Sequence, residues 1–132
     1  MMEPARRTWI SSTLATEMVG LAAAAATVEV SVREGVPARL GARGARLFQG
    51  LEALAAKFPG VIKTVAGLPE MCYVRYTDES FGPLIARFAA THGVLWKRSA
   101  YNFVSLAHDD TLIDRGLELL DAACAEVGRV GR

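Results

Sequence analysis

The stretch VIKTVAGLPEMCYVRY, residues 61–76, decides the fold class. β-branched and aromatic residues are concentrated in two runs, 61–65 and 71–76, and Gly67-Leu68-Pro69 separates them. Such runs around a turn signal are typical of two short strands joined by a tight connection. Two further short runs, 94–96 and 103–106, predict another pair of strands around a polar turn.

Two helices are predicted before this region. Apolar residues of 17–34 recur on one helical face, and Gly35 is expected to end that helix. A second helix is expected after Pro37, with leucines at spacings of three, four and seven, and it should end at Pro59-Gly60. Three glycines weaken the middle of the second helix by about 1 kcal/mol each relative to alanine, so tertiary packing must stabilise it. They are Gly41, Gly44 and Gly50.

Two more helices are predicted after the hairpin. One opens at 78–80 and closes at His92-Gly93. The last has Thr111 as its expected N-cap, with Asp114 three residues later as a variant of the capping box. The order of elements predicts an α+β fold in which long N-terminal helices precede a small, mainly antiparallel sheet covered by helices. The alanine-rich first helix has no strand before it, so we expect it to pack against another surface.

Bulk properties exclude several classes of protein. The chain has 132 residues and a net charge of +1, so nothing in its charge favours nucleic acid or an anionic membrane as a partner. The apolar stretch 21–26 is too short to cross a bilayer, and the first residues do not have the pattern of a signal peptide. Cys72 and Cys124 are read as buried, reduced thiols. We expect a cytoplasmic protein.

Three hydroxyl residues, Ser11, Ser12 and Thr13, stand shortly before the first helix. Their side chains and the free N–H groups of the helix start would suit a phosphate group. Ordinary N-capping by serine or threonine is the alternative.

A second polar segment combines Ser105, His108 and Asp109, the residue types of a hydrolase triad. Three near neighbours in sequence rarely achieve that arrangement in space, and the chain has no Gly-x-Ser-x-Gly motif. A strand-to-helix turn with a hydrogen-bonded histidine is therefore the favoured interpretation.

The lysines of the chain are candidate cofactor residues, because some cofactors are held through a lysine Schiff base. The chain has three: Lys57, Lys63 and Lys97. None has the small-residue, glycine-rich neighbours expected around a buried cofactor lysine.

The order of these segments resembles a known family. The run 11–17, followed by an alanine-rich helix, resembles the segment after the catalytic core of class III aminotransferases. In glutamate-1-semialdehyde aminomutases that segment reads roughly Gly-Thr-Leu-Ser-Gly-Asn. The run 103–108, followed by Asp-Asp and a helix containing Ile113-Asp114, resembles the aminomutase C-terminal signature. The likeness extends from about Thr8 to Val127.

The resemblance implies a fold-type I enzyme dependent on pyridoxal 5'-phosphate (PLP), usually a homodimer with the cofactor at the subunit interface. Thr13 would contact the cofactor phosphate of the neighbouring subunit, with Ser12 as a weaker companion. Residues 1–16 would be a phosphate-contacting lead-in, and 17–132 a linking helix and the C-terminal small domain. The Schiff-base lysine of such enzymes lies upstream of the matching region. Glu17 replaces the family's asparagine, and residues 103–108 lack a carboxylate-binding arginine.

Two functions therefore stay open. The first is part of a PLP-dependent aminotransferase or aminomutase, acting on a small amino-acid or amino-aldehyde substrate. That part would be incomplete without an upstream cofactor domain, and it would self-associate as a homodimer or join the missing domain. The alternative is a non-catalytic α+β binding or dimerisation module that keeps the fold without the chemistry.

Overall fold

A computed structural model describes residues 17–130 of the chain. These residues fall into two compact units, and the boundary between them in the sequence lies after Val36. The second unit contains the sheet and three of the helices.

The first unit contains helix α1, Met18–Arg33. The carboxylate of Glu17 caps it, because its two oxygens accept hydrogen bonds from the backbone N–H groups of Val19 and Gly20, at 2.8 Å and 2.5 Å. The helix ends where Gly35 takes a φ of +59°, a conformation that glycine adopts without strain, so the predicted stop is confirmed. None of the residues of α1 is buried.

The second unit confirms the predicted α+β class. Its sheet has three strands in the order β1-β2-β3, with both neighbouring pairs antiparallel. The elements in chain order are α2 (Val36–Lys57), β1 (Ile62–Leu68), β2 (Met71–Tyr76), α3 (Phe81–Thr91), β3 (Asn102–Phe103) and α4 (Asp110–Val130).

The predicted hairpin is present. Leu68 pairs with Met71 and Val65 with Val74, and the register shifts between Ile62 and Thr64. Gly67 has a φ of +105°, and a Cβ atom there would lie 2.5 Å from the carbonyl oxygen of Met71. The close approach of the two strands therefore requires glycine at this position.

The core lies between the sheet and the helices of the second unit. Burying one leucine or isoleucine side chain stabilises the fold by about 1.5–3 kcal/mol, so this cluster provides most of the driving force. It is formed by Leu51, Leu54, Val61, Ile62, Cys72, Val74, Ile85, Ala89, Trp96, Leu120, Ala123, Cys124 and Val127.

Gly44 lies near the centre of α2, where close packing against the hairpin leaves no room for a larger side chain. It is buried, and a Cβ atom there would lie 2.5 Å from the backbone nitrogen of Glu70 and 2.6 Å from the carbonyl carbon of Pro69. The helix thus approaches the tip of the hairpin backbone to backbone. At Gly41, on the same helix, a Cβ atom would meet nothing within 4 Å.

The predicted strand at 94–96 is wrong. In the structure this segment is a loop, in which the backbone N–H of Val94 donates to the carbonyl oxygen of Ala89. Trp96 is buried in the core, and its indole N–H donates to the hydroxyl of Tyr76 at 3.1 Å. Leu95, between them, is 90% exposed. Val94 and Trp96 are therefore held by these individual hydrogen bonds and by the core, and not by pairing with another strand.

The predicted strand at 103–106 is shorter than expected and begins one residue earlier. Only Asn102 and Phe103 belong to β3, where they pair with Cys72 and Met71. Beyond them, the backbone N–H of Val104 still donates to the carbonyl oxygen of Glu70.

The predicted N-cap of the last helix is also wrong. Asp109, not Thr111, caps α4, because its carboxylate accepts the backbone N–H of Leu112 at 2.8 Å. Asp114 does not complete a capping box. It forms a two-point ion pair with Arg46 of α2, at 2.6 Å and 2.7 Å, and this hydrogen bonding lowers the pKa of the Asp114 carboxyl.

Candidate functional site

Ser12 and Thr13, the predicted phosphate-contacting residues, lie outside the described residues, and their role stays a prediction. The structure does describe the helix start that follows them. The carboxylate of Glu17 occupies the N–H groups of Val19 and Gly20. A phosphate placed there would have to displace a negatively charged group, so these two N–H groups are not the free donors that the sequence indicated.

The segment 105–109 forms the predicted turn with a hydrogen-bonded histidine. Nδ1 of His108 accepts the backbone N–H of Ser105 at 3.0 Å and also lies 3.0 Å from the Ser105 hydroxyl. Asp109 points its carboxylate to the start of α4. Because that carboxylate caps a helix instead of contacting His108, the three residues do not form a Ser-His-Asp relay.

The three lysines all lie at the surface of the second unit. Lys57 forms an ion pair with Asp121 and keeps 58% of its side chain exposed. Lys63 is an exposed residue of β1. Lys97 is exposed in the loop before β3, with its ammonium 5.8 Å from the centre of the Phe103 ring. A lysine that forms a Schiff base is usually activated by a desolvated pocket or a neighbouring cationic group, and none of these exposed side chains lies in such a pocket.

A cleft of about 550 Å³ lies within the second unit, between the loop 93–104 and helix α4. Its walls are mostly apolar. The polar side chains that line it are Lys97, Tyr101, Asn102 and His108. The sequence analysis did not single out Asn102, although a polar residue at the start of the predicted strand 103–106 is a signal that could have marked it.

Asn102 is the buried polar residue of this cleft, with 9% of its surface exposed. Its side-chain oxygen accepts the backbone N–H of Lys97 at 2.9 Å. Its side-chain nitrogen is buried and has no hydrogen-bond partner among the described residues.

The described residues contain neither a metal cluster nor a membrane span. No group of three His, Cys, Asp or Glu residues within 17–130 is placed to hold a metal ion. In the same part of the chain, no helix is both long and apolar enough to span a bilayer.

The sequence and the structure were compared with known proteins. No protein-family model matches the sequence, and no curated protein matches it significantly. A solved structure does match: the FumI protein of Sphingopyxis sp. MTA144 in its PLP internal aldimine form, with a TM-score of 0.81 and 26% sequence identity. The fold is similar to part of FumI. The match covers 95% of this chain and 31% of the FumI chain, so this chain spans about a third of the length of that protein.

Proposed function

We propose that this chain is part of a PLP-dependent enzyme, and more specifically the C-terminal part of a class III aminotransferase or aminomutase. The observation that carries the proposal is the similarity to PLP-bound FumI over 95% of the chain. The motifs at 11–17 and 103–108, which resemble glutamate-1-semialdehyde aminomutases, support the finer assignment.

None of the lysines among the described residues is placed to form a Schiff base with PLP. PLP chemistry depends on a lysine that forms a Schiff base, and the cofactor then acts as an electron sink for the substrate. All three lysines of this chain lie at its surface. We therefore propose that the catalytic lysine comes from a separate cofactor domain, and that this chain contributes a small domain beside the substrate site.

Thr13 is the proposed direct contact to the cofactor, with Ser12 as its weaker companion. By the family resemblance, the Thr13 hydroxyl would donate to the PLP phosphate of a neighbouring subunit in a homodimer. The proposed substrate is a small amino acid or amino aldehyde, and the proposed location is the cytoplasm.

A chimera tests this function. This chain would replace the matching third of FumI, and PLP retention would be measured by visible absorbance after gel filtration. A folded chimera is expected to keep the absorbance of the aldimine. Thr13→Ala should weaken PLP binding about 10- to 150-fold, because a hydrogen bond to a charged group contributes about 1.5–3 kcal/mol.

Thr8→Ala is the matched control, since it removes a hydroxyl from the same segment and should leave retention unchanged. A chimera that unfolds cooperatively in urea but retains no PLP would contradict the proposal. Equal PLP retention in the Thr13 and Thr8 variants would contradict the role of Thr13 alone.

A further inference from the structure

The side-chain amide of Asn102 has a fixed orientation. Its oxygen accepts the backbone N–H of Lys97, and exchanging the two amide atoms would place two donors against each other. The side-chain nitrogen is therefore the group left without an acceptor among the described residues. Buried donors in native proteins are almost always satisfied, so this one points to an acceptor that the described residues do not supply.

The cleft beside Asn102 has the size and lining of a small-molecule site. Its volume of about 550 Å³ falls within the range of roughly 300–1,000 Å³ that is usual for such sites. Its apolar walls include Leu47, Trp96 and Leu112. A few polar groups on an otherwise apolar surface are the usual means of orienting a ligand.

Each of the four polar side chains that line the cleft can donate a hydrogen bond, and the hydroxyl of Tyr101 can also accept one. Lys97 provides an ammonium group and Asn102 the unpartnered N–H₂. His108 accepts a hydrogen bond at Nδ1, so in the neutral ring the proton is on Nε2, which is then a donor. None of the residues that line the cleft is an aspartate or glutamate. This charge pattern is complementary to an anion.

We propose that this cleft binds a small carboxylate that carries an apolar body. The carboxylate accepts from the Asn102 N–H₂ and pairs with Lys97, and the apolar body lies against the aliphatic and aromatic walls. The Asn102 nitrogen is closed off from bulk solvent, so the ligand must displace a bordering side chain to reach it. Lys97 and Phe103 are exposed residues that line the cleft. The proposal does not depend on PLP binding.

The experiment uses the ¹⁵N-labelled full chain and three probes, hexanoate, 1-hexanol and acetate, at low ionic strength. Hexanoate is expected to shift the side-chain amide signals of Asn102 in a saturable manner. It should bind at least about tenfold more tightly than hexanol, which lacks the charge, or acetate, which lacks the apolar body.

Two variants locate the site. Asn102→Asp keeps an oxygen for the backbone N–H of Lys97 but replaces the free donor with a negative oxygen, so hexanoate affinity should fall at least about tenfold. Lys97→Met should also lower the affinity. Lys63→Met is the matched control, because this surface lysine does not line the cleft, and its affinity should be unchanged.

Several outcomes would overturn the proposal. They are equal binding of hexanol and hexanoate, saturation without any shift at Asn102, or unchanged affinity in the Lys97 variant. A long-lived internal water at the Asn102 amide that hexanoate does not displace would also overturn it. If Asn102→Asp does not fold, the probe selectivity of the unmodified chain and the Lys97 and Lys63 variants decide the question.

Discussion

Replacing Gly44 by alanine tests how α2 is held against the hairpin. A helical alanine in place of glycine normally stabilises by about 0.8–1 kcal/mol. At Gly44, however, the new methyl group would lie 2.5 Å from the backbone nitrogen of Glu70 and 2.6 Å from the carbonyl carbon of Pro69. Those atoms belong to a tight turn and cannot rotate away as a side chain could. Overpacking of this kind costs about 1–3 kcal/mol, so Gly44→Ala should be neutral to destabilising.

Gly41→Ala is the matched control, since it changes the same helix where a Cβ atom meets nothing within 4 Å. The gain in helix propensity is common to both variants and cancels. Gly44→Ala should therefore be less stable than Gly41→Ala by about 1–3 kcal/mol. Urea unfolding followed by circular dichroism, with equal m-values, measures the difference. Equal stability of the two variants would refute the close approach of α2 to the turn.

Two further predictions concern the last helix and the buried titratable groups. Asp109→Ala should lower the free energy of unfolding by about 1 kcal/mol, because the helix loses its cap, whereas Thr111→Ala should have little effect. If urea unfolding showed the larger loss of stability in Thr111→Ala, Thr111 would be the cap. Burial raises the pKa of the Cys124 thiol from 9.0 to about 12 and that of the Tyr76 hydroxyl from 10.0 to about 12. The folded state then keeps protons that the unfolded state releases, so the stabilisation from these two groups is fully present below about pH 9, and the free energy of unfolding should fall between pH 9 and 12. Urea titrations across that range would contradict these shifts if stability stayed constant.

The parts of the fold that the sequence predicts correctly are those with local signals. The hairpin is marked by two β-branched and aromatic runs and by the turn residues between them. The end of α1 is marked by Gly35, and the end of α3 by Gly93, which has a φ of +81°. In each case a short stretch of chain contains the physical cause of the structure.

Two errors arise where tertiary contacts decide. The run 94–96 is apolar enough for a strand, but Trp96 is held by the core and by Tyr76, 20 residues away in sequence. Asp114 is held by Arg46, 68 residues away in sequence, and so does not complete a capping box. Neither of these long-range contacts can be seen from local sequence. The cap itself is a local error, because Asp109 and Thr111 are both suitable types and the cap bond of Asp109 spans only three residues.

The candidate sites also differ in whether local sequence or tertiary structure determines them. Asn102 was missed because its significance lies in an unpartnered nitrogen beside a cleft, which depends on how the loop before β3 folds. The turn at Ser105 and His108 was predicted correctly, since its hydrogen bonds span only three residues. The role of Thr13 rests on family resemblance and needs the experiment.

Borohydride reduction of the chimera with FumI tests the central proposal most directly. The hydride converts the lysine–PLP imine into a stable amine, and peptide mapping by mass spectrometry then locates the label. We expect phosphopyridoxyl on a lysine of the FumI-derived part and none on Lys57, Lys63 or Lys97. A folded chimera without any label, or a label on one of those three lysines, would contradict it.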